Sequence, residues 1–186
     1  MKLKMIYLFL HFSFIKILFI AGSISMLNIS DINATEVPFG NMVDSSLSYY
    51  NRATPNISTG GFLSPGAVQQ LKIHGYKTVI DLRHPNEGTL DEKIKIEAAG
   101  INYFNIPITN REPTDKQLNY FSNIISNINN FPVHIHCQSG NRVGAFWAIY
   151  QVSLGVNSDN AILQGMTAGL KGKRLIQIKA ILEKNK

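Results

Sequence analysis

Three short runs rich in β-branched and aliphatic residues, at 77–82, 101–108 and 133–136, alternate with segments in which apolar residues return at helical spacing. Strands joined through helices need crossover connections, and these favour a mostly parallel central sheet covered by helices on both faces. The fold class expected is therefore α/β. The punctuation agrees with it. Ser64-Pro65 is an N-cap followed by the residue favoured at the first helical position, and Gly75 is the stop. A second helix over 87–99 ends at Gly100, and the strand that follows is interrupted at Pro107. Thr114 and Gln117 form a capping box, after which Leu118, Phe121, Ile125 and Ile128 recur at helical spacing ahead of Pro132. Past the third strand, Val143, Phe146, Trp147, Tyr150 and Leu154 share one helical face and read as core. Helices over 158–168 and 173–184 close the chain.

Composition narrows the class further. A chain of 186 residues, 45% hydrophobic and 16% charged, holds one domain with a real core, which excludes disorder and collagen-like repeats. The formal charge of +6 is unevenly spread: +2 over residues 1–34, −1 over 35–170 and +5 over 171–186. The basic tail reads as a solvated helix face, and no nucleic-acid partner is expected. A single cysteine, Cys137, excludes an internal disulfide.

Residues 1–34 need a separate account. Lys2 and Lys4 precede a long apolar stretch broken by Lys16, and Ile32-Asn33-Ala34 offers a small residue at a plausible cleavage position. The expectation is a signal peptide or a membrane anchor over 1–34, a lead-in segment over 35–48, and a domain over 49–186. A cytoplasmic protein with a start further downstream is the third alternative. Either of the first two makes the protein exported, periplasmic or anchored to the membrane by its N-terminal segment.

The chemistry concentrates where the third strand meets its helix. Cys137-Gln138-Ser139-Gly140-Asn141-Arg142 runs from a cysteine to an arginine through a glycine and opens directly into a helix. Backbone N–H groups around Ser139, Gly140 and Asn141 can converge on an anion, and the helix start adds positive potential. The same field favours thiolate over thiol, so that Cys137 is a candidate nucleophile. Arg142 supplies a planar cation able to bind two oxygens of a tetrahedral anion. Gly140 permits a backbone angle that a side chain would resist.

The string from His136 to Ala145 resembles the signature of the tyrosine and dual-specificity phosphatase superfamily. It is most similar to the bacterial phosphatase-like domain of beta-lactamase hydrolase-like proteins, and also to phosphatases fused to NAD kinase-like domains. Arg52 with Thr59-Gly60-Gly61, Val79-Ile80-Asp81-Leu82-Arg83 and Asn105-Ile106-Pro107-Ile108 match in the same order. The resemblance spans about residues 49–169. It implies a minimal dual-specificity-phosphatase-like fold and a phosphoric monoester hydrolase without a cofactor. Cys137 would attack phosphorus, and Arg142 with the loop from Gln138 to Asn141 would hold the oxygens. The substrate would be a phosphorylated protein or a small phosphoester. His136 would orient the loop beneath Cys137, with Asp81 in support.

Three positions differ from the family's usual pattern. The superfamily's loop normally has one residue more between cysteine and arginine; Val143 stands where a serine or threonine usually follows the arginine; and Thr109 and Asn110 occupy the place of the aspartic general acid. Glu112 and Asp115 are the available substitutes, although Asp115 beside the Thr114 cap reads as a helix-start residue. The short loop also resembles that of rhodanese sulfurtransferases, in which Cys137 would carry a persulfide received from a sulfane sulfur donor. A non-catalytic phosphate-binding module is the third reading. His134, His136 and Cys137 could imitate metal ligands, but buried structural histidines are the plainer reading and no metal is expected. Asp81 and Arg83 sit where parallel sheets place ligands, with an internal ion pair as the equal alternative. His84 and Glu87 read as solvated surface, and Tyr49, Tyr50, Phe62, Tyr103 and Phe104 as core or cleft wall.

Overall fold

The computed structural model describes residues 36–109 and 112–184. The N-terminal segment expected to be a signal or anchor, and Asn110, lie outside them. Among the described residues no helix is long and apolar enough to cross a membrane.

Five strands form one sheet: β1 (Asn51–Thr54), β2 (Ile57–Gly60), β3 (Thr78–Asp81), β4 (Asn102–Asn105) and β5 (Val133–His136), in the order β1-β2-β5-β3-β4. The last four in that order are parallel, and β1 pairs antiparallel at the edge. The helices are α1 (Ala67–Ile73), α2 (Thr89–Ala98), α3 (Asp115–Ser126), α4 (Asn141–Ser153), α5 (Ser158–Thr167) and α6 (Gly172–Lys184). This is the mostly parallel α/β architecture that the alternation of strand and helix implies. It places β5 centrally, between β2 and β3, so the chain leaves the middle of the sheet at Cys137 and turns straight into α4.

The pleat assigns the two faces of the sheet. Ile80, Leu82, Ile135 and Cys137 join Phe121, Val143, Phe146, Trp147 and Tyr150 in the larger core. There the Phe121 ring meets Phe146 and Tyr150 edge-on at 4.9 and 4.8 Å, an arrangement that aromatic quadrupoles favour. On the other face Val79 and Tyr103 pack with Leu71, Tyr76 and Ile96 under α1 and α2. Helix α4 is covered on its far side as well, by Ile162, Leu170, Ile178 and Leu182 of the α5–α6 region. A Cβ on Gly144 would collide with the backbone of Leu170, so this glycine is what lets the next layer approach.

Several boundaries depart from the sequence pattern for identifiable reasons. Strands β1 and β2 carry Asn, Thr, Ser and Gly and announce no strand by themselves. β2 is extended because it is buried between two partners, where Ser58 meets His134 and Tyr76, and Thr59 donates to the carbonyl of Ala168. β4 stops at Asn105, short of Pro107. Helix α1 starts at Ala67 because Gly66, at φ 95°, breaks the run after Pro65. Helix α2 starts at Thr89, since residues Pro85–Glu87 form a separate 3₁₀ turn. Ile128 falls in another 3₁₀ turn and Leu154 caps α4; both are exposed rather than core.

Candidate active site

The loop from Cys137 to Arg142 is pinned on its outer side by backbone bonds. The Cys137 amide donates to the Gly60 carbonyl at 3.3 Å, the Phe62 amide donates to the Gln138 carbonyl at 3.1 Å, and Ser139 forms a bridge with Gly61. Gly140 closes the loop at φ 76°, the left-handed region open to glycine, and is the N-cap of α4 with no side chain filling that role. Apart from Gly140, whose amide faces the Gly60 carbonyl across that bridge, the amides from Gln138 to Val143 have no acceptor among the described residues. They are the orphan donors of a helix start, gathered around a cysteine that is 1% exposed. Asn141 does not cap the loop; its amide bonds both the N–H and the carbonyl of Lys171, at 3.0 and 3.1 Å, tying the loop to the start of α6.

Arg142 is held by one edge and open on the other. Its Nη1 donates to the Leu82 carbonyl at 2.8 Å and to Glu87 Oε1 at 2.9 Å, and Nη2 donates to Glu87 Oε2 at 3.2 Å. A guanidinium has five N–H donors, so Nε–H and the second Nη2–H are left as a parallel pair, the geometry that grips two oxygens of one anion. Glu87 is itself fixed by the His84 amide at 2.7 Å. The bonds from Arg142 hold its carboxyl below the usual carboxylate range, outweighing its partial burial. The expectation of a solvated Glu87 is thus corrected. The signal available in the sequence was an acidic residue in the turn leaving β3, the strand that lies beside β5.

Behind the loop, on the α2 face, Asp81, Arg83, Glu92, Tyr103 and His136 make a buried ionic cluster. Arg83 grips Asp81 with Nε at 3.0 and 3.1 Å and with Nη2 at 2.8 Å, and Nη2 also lies 2.6 Å from Glu92 Oε1. Asp81 and Arg83 therefore form the internal ion pair, one of the two roles open to them. Tyr103 donates to Asp81 Oδ2 at 2.7 Å. Burial works against the Asp81 charge, but Arg83, His136 and Tyr103 together hold its carboxyl below the ordinary range. His136 Nε2 stands 2.9 Å from Glu92 Oε1 without the alignment of a hydrogen bond, and Nδ1 has no partner among the described residues. Donor atoms of Asp81, Glu92 and His136 lie within 4.8 Å of one another. Arg83 already supplies the positive charge between the two carboxylates.

The other sequence candidates have separate surroundings. Glu112 is exposed. Asp115, also exposed, is the first residue of α3 after the Thr114 cap and lines a cavity with Ser153 and Leu154. Those two close α4, a helix roughly 20 Å long by its rise, at the end opposite the cysteine loop. Tyr49 is exposed, with Lys171 Nζ 4.6 Å from its ring centre, and shares a cavity of about 220 Å³ with Ser139 and Met166. A larger cavity of about 690 Å³ is lined by Phe62, Pro65, Val68 and Lys95, with Arg83 and Glu87 at its charged side.

Comparisons with known proteins bear on the fold and the family. A candidate phosphatase of Neisseria meningitidis Z2491 superposes with a TM-score of 0.63 at 21% identity, covering 77% of this chain and all of its own. TpbA of Pseudomonas aeruginosa superposes with a TM-score of 0.59 at 18% identity, over 83% of this chain and 91% of its own. The core catalytic domain of the yeast PP-IP phosphatase SIW14 does so with a TM-score of 0.53 at 17% identity, over 74% and 93%. These likenesses establish a shared fold. No curated protein matches the chain at a significant level. A family profile, described as a DSP-PTPase phosphatase fused to NAD+ kinase, matches residues 33–182. A cysteine loop at the exit of the central strand, the arginine that closes it and a match over most of the chain thus lead to one family: this protein belongs to the phosphatases of the tyrosine and dual-specificity superfamily described by that profile.

Proposed function

We propose that the protein hydrolyses phosphomonoesters in two steps through Cys137. The observation that carries this reading is the open edge of Arg142, at the end of a loop that starts at a buried cysteine and carries amides without an acceptor among the described residues. In the first step the Cys137 thiolate attacks phosphorus, an S–P bond forms, and the bond to the leaving oxygen breaks. Nε and Nη2 of Arg142 and the loop amides take the charge spread over the three equatorial oxygens, which is where electrostatic stabilisation has most effect. In the second, water attacks phosphorus, the S–P bond breaks, and thiolate and inorganic phosphate are released. With Asp115 at the far end of α4, the remaining candidate acid is the exposed Glu112, and where it does not donate, the leaving oxygen takes its proton from water. Esters whose leaving groups are stable anions, aryl phosphates above all, are therefore the substrates turned over fastest; a positioned acid is typically worth about 10²–10⁴-fold.

Mass spectrometry of the protein after brief exposure, separately, to p-nitrophenyl phosphate and to thiosulfate tests this. A phosphoryl group trapped on Cys137 and release of p-nitrophenol are expected. Sulfur added to Cys137, with the phosphoester inert, would assign a sulfurtransferase instead.

A further inference from the structure

Glu92 lies on α2 and contacts neither Cys137 nor Arg142 directly, yet a single oxygen of its carboxylate leads to both. Oε1 is 2.6 Å from Arg83 Nη2 and 2.9 Å from His136 Nε2. Arg83 Nη1 reaches the Glu87 carbonyl at 3.4 Å, and the Glu87 carboxylate clamps Arg142. His136 ends β5 immediately before Cys137, and its carbonyl accepts the Leu82 amide at 2.9 Å. The Leu82 carbonyl in turn accepts from Arg142. The two routes therefore meet again at the guanidinium.

We propose that Glu92 is a positioning residue for the anion cradle, holding the cysteine side through His136 and the arginine side through Arg83. The proposal rests on reading the Cys137–Arg142 loop as an anion-binding loop. Three features favour a positioning role over a contribution to stability alone. The carboxylate is nine-tenths buried, and a buried ion is weak evidence of stability because removing it from water is costly. Apolar filling of the same helix face is available one turn along, where Ile96 is fully buried. The Glu92 oxygen is also the carboxylate atom nearest the His136 imidazole, at 2.9 Å against 3.8 Å for Asp81 Oδ1, so its charge acts on the residue that precedes the nucleophile even without the alignment of a hydrogen bond. Small displacements matter there, since about 1 Å of misplacement in a reacting constellation can cost about 10²-fold.

The test uses tungstate, an oxyanion that needs no turnover, and reads its affinity from protection of Cys137 against iodoacetamide. Glu92→Met keeps the bulk and removes the acceptor; we expect tungstate affinity and kcat/KM for p-nitrophenyl phosphate each to fall by about tenfold or more. Glu92→Gln retains a carbonyl oxygen for Arg83 and His136 and restores most of both. Ile96→Val, buried on the same helix, lowers the melting temperature and leaves tungstate affinity at the wild-type value. Should Glu92→Met fail to fold, Arg83→Lys replaces it, because an ammonium cannot span Asp81, Glu92 and the Glu87 carbonyl together; the same loss is expected. Wild-type affinity in a folded Glu92→Met or Arg83→Lys protein overturns the proposal, as does an equal loss in Glu92→Met and Glu92→Gln. Tungstate protection without p-nitrophenyl phosphate hydrolysis would sink the hydrolytic reading and leave this one standing. A wild-type protein that tungstate does not protect sinks both.

Discussion

On one face of β5, Val133, Ile135 and Cys137 are buried against Phe121, Val143 and Phe146; on the other, His134 and His136 are buried just as deeply but among hydroxyls and ions. The first face is held by apolar area, which has no direction and tolerates exchange of shapes at constant volume. The second is directional. Tyr50 donates to the Pro38 carbonyl at 2.8 Å and lies 3.0 Å from the Tyr76 hydroxyl; Tyr76 is 2.6 Å from Ser58, and Ser58 is 2.8 Å from His134 Nδ1. With one proton per hydroxyl, every contact is satisfied only if Nδ1–H of His134 donates to Ser58, Ser58 to Tyr76, and Tyr76 to Tyr50. This assignment leaves Nε2 of His134 as a bare acceptor, consistent with its lack of a partner among the described residues. The site lies at the seam: Cys137 belongs to the apolar face, and Arg142 reaches across to Leu82 and Glu87 on the turn leaving β3.

If that division is right, the two faces should break differently. Cys137→Ser should abolish p-nitrophenyl phosphate turnover, a loss of about 10⁴-fold or more, as expected for a nucleophile. Urea unfolding of the same variant should shift little, because the apolar face loses hardly any volume. Phe121→Ala, by contrast, removes the ring that Phe146 and Tyr150 meet edge-on, and should cost about 3–5 kcal/mol of unfolding free energy. Its kcat, measured where the protein remains folded, should stay near the wild-type value; a collapse of kcat would mean that the apolar face also sets the loop. Glu87→Gln lies on the directional side. A carboxamide offers one acceptor oxygen and turns an NH2 donor toward the other guanidinium nitrogen, so the parallel clamp on Arg142 becomes single, and kcat/KM should fall by about 10–100-fold with the melting temperature nearly unchanged.

The same division explains what could be read from the amino-acid sequence. The apolar face obeys spacing: Val143, Phe146, Trp147 and Tyr150 are core as their period requires, and Leu154 fails only because the helix ends there. The cysteine loop is legible because its parts are consecutive and carry their own chemistry. Glu87 and Glu92 are not. They meet Arg142 and His136 because β3 lies beside β5, and hydropathy has no term for which strand neighbours which. β1 and β2 were hidden for a related reason, since Ser58 and Thr59 are strand residues by virtue of partners at 134 and 168 rather than by propensity.

The smallest expected effect is the most specific to the directional face, and it concerns pH. Burial, reinforced by the neighbouring His136, pushes the His134 pKa well below the ordinary histidine value of 6.5. In the unfolded chain the same ring titrates near that ordinary value. Between the two, the unfolded state binds more protons than the folded one, so unfolding free energy rises with pH across this window and is lost as pH falls below 6.5. One such group gives a slope of at most about 1.4 kcal/mol per pH unit. The depressed carboxyls of Asp81 and Glu87 act with the same sign but further down, below their ordinary values of 3.8 and 4.5, so the windows separate. His134→Asn keeps an N–H donor for Ser58 and does not titrate. Urea unfolding of both proteins from pH 7.5 to 5 should therefore show a flatter curve for the variant, the difference growing below pH 6.5. Parallel curves would mean that His134 becomes charged in the folded protein without penalty. Such a result would require an acceptor or solvent to reach Nε2–H, which has no partner among the described residues, while the hydroxyl chain, already receiving Nδ1–H, kept its order; the directional face would then open more readily than its burial implies.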